Sequence, residues 1–243
     1  MISCINLFRK NPSISQEDFV SFLKKEYADY VLVVPNIYEY EQNYVTLKEA
    51  GDASSEAIVA DAFTIERYET LNDYKIAAAS PEYKRLLEKR VEVVDYNETY
   101  ICLENVSIPK SNHENARKKI SLLGRKAPKV SFEDFTREWF VVHSGCMAKM
   151  PKDIFYGYNQ HLIIDRMING QPVSHTRLPF DGILELFFSE APAVANAFAT
   201  IPEGQATVAH RKDFMTSVDP FQVDFKVFKC LRNANDLCLN EAE

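Results

Sequence analysis

Arg9-Lys10-Asn11-Pro12-Ser13-Ile14-Ser15-Gln16-Glu17-Asp18-Phe19 returns further along the chain as Arg125-Lys126-Ala127-Pro128-Lys129-Val130-Ser131-Phe132-Glu133-Asp134-Phe135. Seven of these eleven positions are identical, and Ile14/Val130 is conservative. Phe19 and Phe135 stand 116 residues apart, and Pro35 and Pro151 keep that spacing. The Pro-Glu pairs at Pro81-Glu82 and Pro202-Glu203 are spaced slightly wider, which places longer connections in the second copy, around Asn169-Gly170-Gln171-Pro172. A match of this length, in the same order at two distant places, marks an internal duplication.

Each copy reads as the same series of elements. Residues 2–8 form an apolar run that suits a strand. Arg-Lys-x-Pro ends its ladder, because proline has no N–H to donate. Ser15 and Ser131 are N-cap residues followed by acids in the first helical turn, where the helix dipole favours negative charge. Phe19, Leu23, Tyr27 and Val31, and likewise Phe135, Trp139, His143 and Met147, recur at helical spacing until Pro35 and Pro151. Strands are predicted at 37–48 and 154–168, and again at 58–69 and 180–189. Second helices at 71–90 and 191–211 each contain an internal proline, Pro81 or Pro202, that kinks or splits them. Final strands fall at 97–105 and 221–230.

The fold class is therefore α+β, with two ferredoxin-like β-α-β-β-α-β repeats packed sheet to sheet as an intramolecular α+β barrel. The boundaries are 1–106 for the first repeat, 107–116 for a polar linker, 117–230 for the second repeat and 231–243 for a C-terminal tail. One chain suffices to close such a barrel; a homodimer is compatible with it but not required.

Composition narrows the function classes. The 243 residues are 46% hydrophobic, enough for one large core or two smaller ones. A net charge of −7 leaves no basic surface for phosphates, and the runs Lys84-Arg85 and Arg117-Lys118-Lys119 are short, so no nucleic acid partner is expected. No apolar run approaches the ~20 residues that span a bilayer, and the N-terminus lacks a signal-peptide pattern, so no membrane is expected and a cytoplasmic location is. Five scattered cysteines without a Cys-x-x-Cys pair read as reduced, small hydrophobes rather than metal ligands.

The repeated motif, a helix carrying Trp139-x-x-x-His143 and a strand opening Asp181-Gly182-Ile183 resemble the EthD family, within the dimeric α+β barrels. The resemblance spans about 2–105 and 117–230 and is stronger in the second half. In the first half Leu23 stands for Trp139, Tyr27 for His143 and Asp61-Ala62 for Asp181-Gly182. It implies an apolar cavity between helices and sheet. It also implies activities ranging from cyclisation, dehydration and isomerisation to cofactor-free or haem-dependent oxygenation, or an accessory role in oxidative degradation of ethers.

His143 is the candidate catalytic acid/base, lying on one helical face with Trp139. The competing reading is a buried histidine that pins its helix. Tyr156, Tyr158 and Asn159, in a segment that echoes Tyr38–Asn43, are candidate positioning groups, and Trp139 a pocket wall. Glu185 sits in the apolar run Ile183–Phe188, must be paired, hydrogen-bonded or protonated there, and is the remaining candidate for substrate binding. His113, His175 and His210 read as solvated. No metal site is expected, and no cofactor; one candidate axial ligand is too little for haem. The leading expectation is a small-molecule enzyme acting on an apolar or aromatic substrate. The reaction would be cofactor-independent proton transfer, as in a cyclase, dehydratase or isomerase, or monooxygenation, in a pocket of the second repeat. The alternatives are a non-catalytic binding or accessory protein and a purely structural module.

Overall fold

The computed structural model describes residues 1–48, 60–110 and 118–230. The first repeat begins with β1 (Ile2–Lys10) and a helix in three parts: α1 (Gln16–Phe22), a π-helical turn (Leu23–Tyr27) and α2 (Ala28–Leu32). β2 (Glu39–Lys48), β3 (Ala62–Tyr68), α3 (Leu71–Ala79), α4 (Pro81–Arg90) and β4 (Val94–Ile108) follow. The second repeat begins with β5 (Lys118–Lys126), α5 (Phe132–Arg137), a π-helical turn (Glu138–His143) and α6 (Ser144–Met147). It continues through β6 (Phe155–Ile168), β7 (Gln171–Pro172), β8 (Gly182–Phe188), α7 (Ala191–Thr200), α8 (Pro202–Phe214) and β9 (Met215–Cys230).

The repeated motif is turn grammar with identifiable bonds. Lys10 and Lys126 each donate an ammonium hydrogen bond to the carbonyl of Ile14 or Val130, closing the turn after the strand. Their backbone N–H groups donate to Asp61 and Asp181 at 2.9 and 2.7 Å. Ser15 and Ser131 accept from the N–H groups of Asp18 and Asp134, both at 3.0 Å, and so cap their helices. Pro81 and Pro202 split the second helices, each opening a new helix at its first turn, where a missing N–H costs nothing. β6 turns back at Asn169-Gly170 (φ 47° and 77°) to pair Ile168 with Gln171. Two successive left-handed residues make a tight hairpin turn, a role that Asn-Gly fills with little strain.

Each repeat orders its strands alike, β4-β1-β3-β2 and β9-β5-β8-β6. The repeats are joined at both sheet edges: β2 pairs antiparallel with β9, and β4 with β6. The pairings thus run in a circuit through eight strands, and the apolar inner faces look at one another across the interior. Sheet-to-sheet packing was the expectation; edge pairing is the added feature, and it uses strand edges that would otherwise expose unpaired N–H and C=O groups. Helices cover the outer face, with Phe19, Leu23, Tyr27 and Val31 buried over Cys4, Phe8, Tyr40 and Tyr68. In the second repeat Phe135, Trp139 and Met147 are buried over Phe155, Tyr158, Leu184 and Phe188. Ile5, Phe63, Ile65, Tyr100, Ile163, Phe180 and Ile183 fill part of the interior.

β4 continues through Ile108 and so takes in the first two residues of the expected linker. Residues 111–117, with His113, and the expected tail at 231–243 lie outside the described residues. Among the described residues no helix is long and apolar enough to cross a membrane. Cys4, Cys102 and Cys146 are free thiols.

The interior also holds an ionic cluster. Arg67, 1% exposed, donates from Nη1 to Glu39, from Nε to Glu104 and from Nη2 to Glu185, each at 2.7 Å. Its acceptors come from β2, β4 and β8, so one guanidinium ties both repeats together. Removing one member of a buried ionic cluster leaves charge without compensation. Arg67→Met should therefore lower stability by about 3–5 kcal/mol, read as a shift of the urea midpoint at constant slope. A shift within experimental error would show that the cluster contributes nothing to joining the repeats.

Candidate functional site

In a π-helical turn the helix widens and the carbonyl–amide ladder is interrupted, which leaves carbonyls in need of other donors. In both repeats a strand glutamine supplies one. Gln42 Nε2 donates to the Leu23 carbonyl at 2.5 Å, and Gln160 Nε2 to the Trp139 carbonyl at 2.7 Å. The same amides donate to tyrosine hydroxyls, Gln42 to Tyr40 at 2.7 Å and Gln160 to Tyr158 at 3.3 Å. These equivalences settle the register of the echo noted in the sequence: Tyr40 corresponds to Tyr158 and Gln42 to Gln160.

The second π-turn presents Trp139 and His143 to the sheet. Trp139 donates from Nε1 to the Tyr158 hydroxyl at 3.1 Å and packs closely against Gly182. A Cβ at Gly182 would stand 2.1 Å from the indole carbons Cη2 and Cζ3, so only glycine fits under this ring. In the first repeat the smaller Leu23 shares its buried cluster with Ala62, which occupies the corresponding strand position. Large over small in one repeat replaces medium over medium in the other.

His143 is 6% exposed, with Tyr158 and Phe214 at ring-centroid distances of 6.2 and 5.5 Å. His210 of α8 stacks on it at 20° between ring planes, with the two Nδ1 atoms 3.3 Å apart. His210 Nε2 in turn lies 3.2 Å from a carboxylate oxygen of Glu138. Burial, then the neighbouring His210 and Arg211, push the His143 imidazole down to about 3, so the ring is neutral near pH 7. One assignment of hydrogens satisfies the whole chain: His210 Nε2–H donates to Glu138, and His143 Nδ1–H donates to His210 Nδ1. The lone pair of His143 then sits on Nε2, and among the described residues no group hydrogen-bonds that atom.

The six candidate residues do not form one site. Trp139, His143 and Tyr158 meet on the helix side of the sheet. Asn159 and Glu185 point to the interior, where Glu185 accepts from Arg67, from His161 Nε2 at 3.0 Å and from Asn159 Nδ2 at 3.1 Å. Successive strand residues face opposite ways, so Tyr158 and Asn159 cannot share a pocket. Tyr156 also turns inward, because the register shifts between Phe155 and Gly157; it packs on Phe187 and donates to the Asp153 carbonyl at 2.9 Å. The need of Glu185 for partners was legible in the sequence; Arg67 and His161 as those partners were not. An alternation signal existed, since Phe63 and Ile65 precede Arg67 on the same face. His210, expected at the surface, is instead the partner of His143. His175 is largely exposed and pairs with Asp181 at 3.0 Å.

A metal could draw on Glu104, His161 and Glu185, whose ligand atoms lie within 4.8 Å of one another. Arg67 already donates to both carboxylates there, so the guanidinium holds the cation position, and the donor set fits an internal ion pair better than a metal.

Residues 127–217 match the EthD domain family. No curated protein matches the chain. Among solved structures the fold is shared with an anthrone oxidase-like protein, at 10% identity and TM-score 0.60, covering 93% of this chain and 92% of that one. A candidate monooxygenase from Lactobacillus acidophilus NCFM matches at 12% identity and TM-score 0.57, covering 93% and 94%. A candidate chlorite dismutase matches at 8% identity and TM-score 0.52, covering 92% and 93%.

Two measurements check this site. Gly182→Ala should cost about 1–3 kcal/mol by overpacking, and Trp139→Leu a similar or larger amount by leaving a cavity. The double variant should be less damaged than the sum of the two, and strict additivity would refute the contact. His143 should also shape the acid limb of stability. Its folded value lies below the ordinary 6.5, so it contributes stability that is present above about 6.5 and lost as pH falls toward 3. By about pH 4.5 that loss is about 2–3 kcal/mol, and His143→Phe should remove it from a urea-midpoint series against pH.

Proposed function

We propose, from the match of residues 127–217 to the EthD domain family, that the chain is a small-molecule enzyme. It removes a proton from an apolar, aromatic substrate at the helix–sheet interface of the second repeat. One observation carries this reading: a buried, neutral histidine whose second ring nitrogen is linked through another imidazole to a carboxylate. Trp139 and Phe214 supply an aromatic surround, and Tyr158 orients the indole.

The chemistry follows from the hydrogen assignment. An acidic C–H or O–H of the substrate transfers its proton to His143 Nε2, and the electron pair stays on the substrate. The imidazolium is disfavoured by burial, so it passes the Nδ1 proton to His210 Nδ1. His210 releases its Nε2 proton to Glu138, whose side chain is 25% exposed and exchanges it with water. The carbanion or enolate can then cyclise, eliminate, isomerise or react with oxygen. No step in this scheme requires a cofactor. The shared fold with an anthrone oxidase-like protein and a candidate monooxygenase supports the last outcome. Free thiols at Cys4, Cys102 and Cys146 suit a reducing, cytoplasmic setting. Close packing of Trp139 on Gly182 favours a second reading, a non-catalytic binding or accessory protein, in which the histidine pair is structural.

Oxygen uptake with anthrone as trial substrate separates the two. The enzyme reading expects uptake that falls about 100-fold or more in His143→Ala, and less in His210→Ala, which interrupts only proton release. Uptake that is unchanged in His143→Ala would remove the histidine from the mechanism.

A further inference from the structure

The helix side of the first repeat holds a different set of ionisable groups at the corresponding place. Glu66 of β3 is 0% exposed and faces the helices. It accepts from the Tyr68 hydroxyl at 3.1 Å and from Asn6 Nδ2 at 3.3 Å. Asn6 Oδ1 accepts in turn from Thr99 at 2.8 Å and from Arg90 Nη1 at 3.2 Å. Arg90 reaches in from the end of α4 and lies over the Phe8 ring.

Two of these groups hold more hydrogen-bonding capacity than the protein uses. Arg90 is 7% exposed, yet among the described residues no carboxylate lies within ion-pair distance of its guanidinium. Tyr27, 0% exposed, ends the π-turn of the first repeat as His143 ends that of the second. Its hydroxyl comes close to Arg90 without completing a hydrogen bond, and among the described residues it has no other partner. A buried guanidinium with no carboxylate in direct contact and an unpartnered buried hydroxyl are each unfavourable. Side by side, they are what an anionic oxygen would pair with.

Burial pushes the Glu66 carboxyl up to about 7, with Tyr68 and Arg90 pulling it down. The other ionisable groups facing it are Cys4 of β1, Tyr40 of β2, Tyr74 of α3, Tyr83 of α4 and Tyr27, all held protonated by burial. Arg90 and Glu66 are thus the two charges of the site, and a carboxyl that titrates near neutrality can both take and return a proton.

We propose that the first repeat carries a second small-molecule site, for a phenol or an enolisable carbonyl compound, in which Arg90 and Tyr27 bind the oxyanion and Glu66 exchanges its proton. The substrate O–H or α-C–H bond breaks, its proton goes to a Glu66 carboxylate oxygen, and the electron pair remains on the substrate as phenolate or enolate. No electrons leave the substrate. The site is independent of His143.

Titration of the full-length protein with 2,4-dinitrophenolate, followed by its visible absorbance, tests this. Binding should be saturable and should weaken from about pH 6 to about pH 8 as Glu66 ionises beside the anion. Glu66→Gln should abolish that pH dependence. Tyr27→Phe should weaken binding about tenfold while raising the melting temperature, because it removes a hydroxyl that has no partner. His143→Ala should leave the titration unchanged. Absence of saturable binding, a pH dependence that survives Glu66→Gln, a lower melting temperature in Tyr27→Phe, or binding lost in His143→Ala but kept in Tyr27→Phe would each overturn the proposal.

Discussion

Arg67 sets the central constraint on this molecule. A guanidinium taken out of water among carboxylates is tolerable only when its hydrogen-bonding groups find partners, and these partners come from three strands. Two of those strands, β2 and β4, are the edges of the first sheet, which meet the second repeat at β9 and β6. The third, β8, lies inside the second sheet. Placing Arg67 correctly therefore places both seams of the ring. At the matching position of β8 stands Phe187, which packs with Tyr156 and Phe225 beneath the Lys110 ammonium. One repeat contributes a charge to the interior and the other an aromatic ring, so the two ends of the pseudo-symmetric interior are chemically distinct.

The outer faces show the same divergence over a common frame. The lysine turn, the serine cap, the π-turn and the glutamine that supports it recur in both repeats. On that frame Trp139 over Gly182 answers to Leu23 with Ala62, and His143 answers to Tyr27. A homodimer would have to keep the two faces identical. A fused chain does not, and here one face holds a pair of histidines while the other holds a carboxyl with a guanidinium. Their ionisation differs accordingly: burial favours the neutral form in both, which lowers His143 and raises Glu66.

What the sequence determined by itself was the local grammar and, through the duplication, the architecture. Caps at Ser15 and Ser131, helix breaks at Pro81 and Pro202, and the doubly buried strand Gly182–Phe188 depend on neighbours within a few residues. Short-range sterics and hydrogen bonding decide such features, so they can be read along the chain. Asn169-Gly170 was legible too, as a tight hairpin rather than only as extra length.

Tertiary structure alone decided which side chains meet. Tyr158 and Asn159 are adjacent in sequence but lie on opposite faces of β6, and a register shift sends Tyr156 inward with Asn159. His210 meets His143 across 67 positions because α8 packs beside the π-turn, and Glu185 meets Arg67 across 118 because the two repeats close around one interior. Strand register, helix packing and edge pairing are cooperative properties of the whole chain. Periodicity shows which face of an element is buried, but only the assembled fold shows what that face is buried against.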